Sequence, residues 1–313
     1  MARKFTFDLH RLNLVDIEDL FTTNRSSRVS NDHQIVEVLR TASSPDFDES
    51  QETKTAHFKW SVREFSEYQL LDRSRHLCSV LLARSVVSKD GLIVTDEGIS
   101  SGTSASYPPP ASIMRVFFDL TRHLVAVEHT GDLSITAWRD HLERILQNAA
   151  IKLGWATSLT LEPVPESNGI VGLFRSFELL TRLKVTLRIP NPELTRYTRA
   201  IYEELIEIDV REYTQDMRNP AGISKSESAR PFATAVLAEQ GYRKGEVHFE
   251  GVRDGVFETV LSGSIAARGT IPAMRDYVRG MQANAKTKEA KSILVSIINE
   301  IDKLHPREMD DGK

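Results

Sequence analysis

The sequence predicts an α+β protein, with antiparallel sheets and packed helices in a two-part architecture. Three observations carry that expectation. Apolar residues alternate at period two in several short runs, the pattern of half-buried strands. Neighbouring runs are joined by turns too short for a crossover helix, so they pair as hairpins. In the first half, the order strand, strand, helix, strand fits a layered α+β arrangement and not a doubly wound parallel sheet.

The elements follow in order. Phe5, Phe7 and Leu9 share one face of a first strand. Leu14, Ile17, Leu20 and Phe21 have the spacing of two helical turns. Asn31-Asp32 offers an N-cap for a helix whose apolar side is Ile35, Val36, Val38 and Leu39. Thr41 to Lys54 reads as a polar loop. Phe58 to Leu71 and Leu77 to Val87 have strand composition, Lys89-Asp90-Gly91 is a turn signal, and Leu92-Ile93-Val94 is a short strand after it. Glu97 to Ser112, small polar residues and then Pro108, Pro109 and Pro110, reads as irregular. Ile113 to Leu120 and His123 to Glu128 form a hairpin about Thr121-Arg122. Ser134 caps a helix to about Ala150, with Trp138, Leu142, Ile145 and Leu146 in its buried stripe. A strand runs from Thr157 to Val164.

The expected division falls at 167/168, giving an N-terminal α+β domain over 1–167 and a C-terminal α+β domain over 168–313. In the second unit, Leu183, Val185, Leu187 and Ile189 alternate with Arg182, Lys184, Thr186 and Arg188. That is an amphipathic strand with a basic outer face, stopped by Pro190-Asn191-Pro192. A helix from Glu193 to about Val210 follows, then another from Ser226 to Gln240, ended by Gly241. Val247–Glu250 and Val256–Leu261 flank Arg253-Asp254-Gly255, a hairpin signal. Ile293, Leu294, Ile297, Ile298, Ile301 and Leu304 stripe a C-terminal helix.

Composition excludes several function classes. The chain has 313 residues, ordinary globular proportions and one cysteine, Cys78. A disulfide scaffold or a multi-cysteine metal cluster is therefore out. No apolar run reaches the roughly 20 residues that span a bilayer. The first residues, Met1-Ala-Arg-Lys, meet charge before any apolar stretch, so the expected compartment is the cytoplasm. With 40 basic and 44 acidic residues, net −4, polyanion binding has to be local.

No short motif names a reaction. There is no phosphate-binding P-loop, no dinucleotide glycine fingerprint and no nucleophile elbow. His123 and His129 lie six residues apart without further ligands, and His76 with Cys78 reads as strand core, not as a nucleophile pair. Glu289-Ala290-Lys291 has a nuclease-like spacing on a solvent-facing helix without an acidic partner on a strand. The run Glu203, Glu204, Glu207, Asp209, Glu212 and Asp216 reads as a solvated helix face. The expectation is no catalytic residue, no metal and no cofactor.

Charge segregation is the informative feature. Gly172 to Arg199 carries Arg175, Arg182, Lys184, Arg188, Arg196 and Arg199 against Glu178 and Glu193, net +4. Arg268 to Lys291 is also net +4, and Ala200 to Asp216 is net −5. Arg182, Lys184 and Arg188 share a strand face because their separations are even. Cations about 6–7 Å apart along a strand suit a phosphate backbone. Charges that guard an exposed edge strand would look the same. Few aromatics stand nearby, which favours backbone contact over base readout.

The run Gly172-Leu-Phe-Arg-Ser-Phe-Glu-Leu-Leu-Thr-Arg-Leu-Lys-Val-Thr-Leu-Arg-Ile-Pro-Asn-Pro192 resembles a segment of RexA-like phage-exclusion proteins. More distantly it resembles the DNA-binding component (KwaB) of Kiwa anti-phage systems. The likeness covers about residues 113 to 270. It implies a homodimer that binds double-stranded DNA without sequence preference and signals to a membrane-protein partner during phage infection. The implied DNA-binding residues are Arg175, Arg182, Lys184, Arg188, Arg196 and Arg199. The alternatives are a metal-dependent nuclease or other hydrolase with carboxylates assembled from distant positions, and a non-catalytic adaptor.

Overall fold

The computed structural model describes residues 4–16, 31–96, 98–105, 107–131, 133, 135–166, 169–188, 199–208, 210, 212–263, 265–274, 278 and 288–306. In chain order its elements are β1 (Phe5–Asp16), α1 (Asp32–Ala42), β2 (Glu49–Glu52), β3 (Ala56–Leu70), β4 (Arg75–Thr95), β5 (Gly98–Ala105), β6 (Ala111–Asp119), β7 (Leu124–Glu128), α2 (Ile135–Lys152), β8 (Thr157–Pro163), α3 (Gly169–Ser176), β9 (Leu179–Arg188), α4 (Arg199–Glu207), β10 (Glu212–Arg218), α5 (Arg230–Glu239), β11 (Val247–Arg253), β12 (Val256–Ser262), β13 (Arg268–Ile271) and α6 (Lys288–Leu304). This is an α+β protein of antiparallel sheets.

One sheet has nine strands in the order β13-β1-β7-β6-β4-β3-β2, with β5 on β4 and β8 on β1. Adjacent residues alternate between its faces, and so between two cores. Phe118 and Val125 pack with Ile35, Val38 and Leu39 of α1 and Leu142, Ile145 and Leu146 of α2. Their neighbours Phe117 and Leu124 pack with Phe5, Phe7 and the α6 stripe Ile293, Ile297 and Ile301. Each such buried aliphatic side chain contributes about 1.5–3 kcal/mol. Asn31 caps α1 as its sequence predicts, its side chain accepting from the Gln34 N–H at 3.0 Å.

The second sheet runs β10-β9-β11-β12. Its inner face (Leu183, Val185, Leu187, Phe249) packs under α3, α4 and α5 in a separate core. Val164 still packs in a core of the first sheet, whereas Ile170 to Phe249 supply the core of the second. The chain then returns: β13 pairs with β1, and α6 packs on Phe5 and Phe7, so Ala267, β13, Val278 and α6 sit with the first sheet. Among the described residues, no helix is long and apolar enough to cross a membrane.

Several local expectations change. Leu14 lies in β1, paired with Leu159 of β8, and not in a helix; residues 17–30 are outside the described set. The polar loop Thr41–Lys54 contains β2, which adds to β3. Lys89-Asp90-Gly91 is no turn but lies within the 21-residue β4, toward its C-terminal end. Its partner is Gly98–Ala105, expected to be irregular, with Asp90 opposite Thr103 and the Thr103 hydroxyl donating to the Asp90 carboxylate at 2.6 Å. An open ladder edge outweighs weak local propensity there. The β6–β7 connection is four residues, Leu120 to His123, and not two. Ser134, the expected cap of α2, is outside the described residues.

Candidate nucleic-acid interface and the adjoining cavity

The predicted two faces of β9 are present. Leu183, Val185 and Leu187 are buried, while Arg182, Lys184, Thr186 and Arg188 line the outer face. Antiparallel register sets Glu212 opposite Arg188, Asp216 opposite Lys184 and Arg218 opposite Arg182 on β10. On β11 it sets His248 opposite Lys184 and Glu250 opposite Arg182. Gly251 is needed just beyond: β11 is bulged there, and a Cβ would collide with the carbonyl oxygen of Leu179.

The acids of the expected helix face are thus partly on a strand, facing the cations. Arg182 binds Asp216 through Nε at 2.8 Å and Nη2 at 3.0 Å, and Glu250 through Nη1 at 2.5 Å. Asp216 also accepts from Arg218 Nη2 at 2.9 Å. Hydrogen bonds from Arg182, and then from Arg218, hold its carboxyl well below the usual range. Arg188 reaches Glu162 at 3.3 Å and Glu212 at 3.4 Å, and Lys244 shares Glu212 at 3.1 Å. Lys184 makes no ion pair among the described residues. Among the described residues, the outer face therefore carries Arg182, Lys184, Arg188, Arg218 and Lys244 against Glu212, Asp216 and Glu250, with Glu162 also on Arg188.

The structure brings together Arg182, Lys184 and Arg188. Arg175 lies elsewhere, on α3, paired with Glu227 at 2.6 Å and stacked over Phe232 among the helices. Arg199 begins α4 in the same helical layer. Arg196 is outside the described residues. The second basic segment divides: Arg268 binds Asp8 at 2.8 Å, Lys291 binds Asp72 at 3.2 Å, and Arg275, Arg279 and Lys286 are outside the described residues. Sequence reasoning missed Arg218 and Lys244, whose contribution depends on strand pairing.

Arg188 and Lys244 also reach a cavity of about 570 Å³ between the two sheets, lined as well by His10, Trp138, Arg139, Glu143, Glu162 and Arg268. Glu143 accepts from the Leu161 N–H at 2.7 Å, and burial pushes its carboxyl up to about 7. Burial raises Glu162 too, against the pull of Arg188. His10 is driven down to about 4, chiefly by burial. Its Nδ1 lies 3.3 Å from the Asp8 carbonyl oxygen, so Nδ1 carries the proton and Nε2 is the acceptor. Its ring meets Trp138 edge-on at 5.3 Å. An acid that titrates near neutrality thus lines one cavity with a neutral imidazole. Sequence gave no local signal of this, because the residues come from β1, α2 and β8.

Other candidates resolve as structure. His123 lies 3.3 Å from Asp32, and His129 lies 2.8 Å from Asp8. Cys78 is fully buried, and burial pushes its thiol up, away from nucleophile chemistry. Among the described residues, no group of three or more His, Cys, Asp or Glu is placed to hold a metal ion.

Residues 110–260 match a family described as a domain of unknown function, DUF4747. The match runs from β6 into β12 and includes the β9 face and the Trp138, Glu143, Glu162 and Arg188 wall of the cavity; His10 and Arg268 lie outside it. No curated protein matches the chain.

Proposed function

We propose that this chain binds the backbone of double-stranded DNA, without sequence preference, through the outer face of its second sheet. The observation that carries the reading is the row Arg182, Lys184 and Arg188 on one face of β9, widened by Arg218 and Lys244. Phosphates would exchange with the carboxylates already bound there, which moderates affinity, while the counterions released from the DNA make binding salt-dependent. The resemblance to RexA-like and Kiwa proteins extends the reading. On it, the chain is a cytoplasmic, homodimeric component of a prokaryotic anti-phage or phage-exclusion system that acts with a membrane-protein partner.

The test is a gel shift with unrelated duplexes across a salt series. Replacing Lys184, Arg218 and Lys244 together by Ala removes cations that the sheet uses least. Binding should weaken equally for all duplexes, and the log–log salt slope should flatten by about one unit per lost phosphate contact. Affinity and slope unchanged from the parent chain would remove DNA from this face.

The cavity supports a second reading, a hydrolase. Glu143, titrating near 7, serves as a general acid or base, with neutral His10 lining the same space. Plasmid incubated with magnesium or manganese should be nicked by the parent chain and not by Glu143→Gln. Equal nicking by both would exclude Glu143 from the chemistry.

A further inference from the structure

The second sheet ends in a strand that nothing described covers. β12 pairs with β11 alone, through a tight turn in which Asp254 and Gly255 have φ of 52° and 74°. Two left-handed residues make a type I′ hairpin turn, so Arg253 and Val256 are its first hydrogen-bonded pair. Antiparallel alternation then spends the N–H and C=O groups of Val256, Glu258, Val260 and Ser262 on β11. Those of Phe257, Thr259 and Leu261 point away from the sheet. Among the described residues, no other backbone group meets them.

The side chains of the same three residues lie on the outer face, across from Val252, Glu250 and His248. Phe257 is 62% exposed and Leu261 49%. The opposite edge, β10, carries Glu212, Asp216 and Arg218, the charged kind of edge that resists further pairing. β12 has one charge, Glu258, and Arg253 holds it at 2.5 Å.

We propose that β12 is the edge that joins the homodimer of the proposed function, a reading on which this inference rests: two copies of the chain pair their β12 strands antiparallel and merge their four-stranded sheets. The pattern is self-complementary. A two-fold axis through Thr259 sets Phe257 of each copy opposite Leu261 of the other. Every outward N–H and C=O of the three residues then gains a partner. Glu258 falls opposite Val260, so no like charges meet. This fit to itself selects a second copy over a peptide of another protein.

The experiment measures the mass of the full chain by sedimentation over a concentration series. The parent chain should be a dimer at micromolar concentration. F257K/L261K sets like charges opposite each other at both positions and should raise the dimer Kd at least about tenfold. F257K/L261E loses the same apolar surface but sets opposite charges across both pairs, and should restore the dimer. Both positions face solvent in the single chain, so both variants should keep the parent's circular dichroism. A parent chain that stays monomeric overturns the proposal. So does equal dimerisation of the two variants.

Discussion

Glu143 and His10 line one cavity, and burial favours the neutral form of each, with opposite consequences for stability. The folded-state value of Glu143 is raised, from 4.5 to about 7. Its contribution is therefore complete below the unfolded value and is lost as pH rises toward 7. His10 is lowered, from 6.5 to about 4, so its contribution is complete above 6.5 and is lost as pH falls toward 4. At about 1.4 kcal/mol per unit, each ramp is up to about 3 kcal/mol. Urea unfolding across pH reads both. Glu143→Gln should gain stability relative to the parent between pH 4.5 and 7, while the acid-side loss persists. Parallel curves across that window would mean that Glu143 ionises freely. At this scale the sequence was half legible. Even spacing put Arg182, Lys184 and Arg188 on one face. It could not show that Asp216 and Glu250 hold Arg182, because that depends on which strands pair.

At the scale of elements, legibility follows the range of the interactions that decide each one. Helix α1 is announced by its own Asn31 cap and apolar stripe, both within a few residues. The β11–β12 turn is likewise written in Asp254-Gly255. The arm made by β4 and β5 is different. Lys89-Asp90-Gly91 has turn chemistry, and Gly98 to Ala105 has little strand propensity. Each becomes regular only because the other is there to complete the ladder. The acidic run fails for the same reason. Glu203 to Glu207 lie on α4, but Glu212 and Asp216 cross into β10, drawn opposite the cations of β9. Cross-strand attraction of that kind stabilises a pairing without any periodic signal in the strand that supplies it.

At the scale of the whole molecule, buried polar groups join the two sheets. Arg11 of β1 is fully buried, donating to the Gln240 carbonyl at 2.8 Å and the Arg122 carbonyl at 2.6 Å. Asn13 donates to the Gly241 carbonyl at 3.2 Å. Gly241 has φ of 87°, and a Cβ there would sit 2.6 Å from that of Arg11, so the close approach requires glycine. Arg243 binds carbonyls on both sides, Pro163 at 2.9 Å and Ala238 at 3.1 Å, and also Gly263. Burial lowers Arg243 only to about 10, so it stays charged at neutral pH and depends on those partners. Opening the layers would strand these groups away from their hydrogen bonds, which makes separate unfolding of either layer costly. The three tryptophans make this testable, because Trp60, Trp138 and Trp155 all belong to the first core. Their fluorescence reports the first layer, while far-ultraviolet dichroism reports both. In urea the two transitions should coincide. Arg243→Met leaves the Pro163, Ala238 and Gly263 carbonyls unpaired and should pull the two midpoints apart. Separate transitions in the parent chain would show that the buried arginines do not couple the layers, and that each sheet with its helices folds as its own unit.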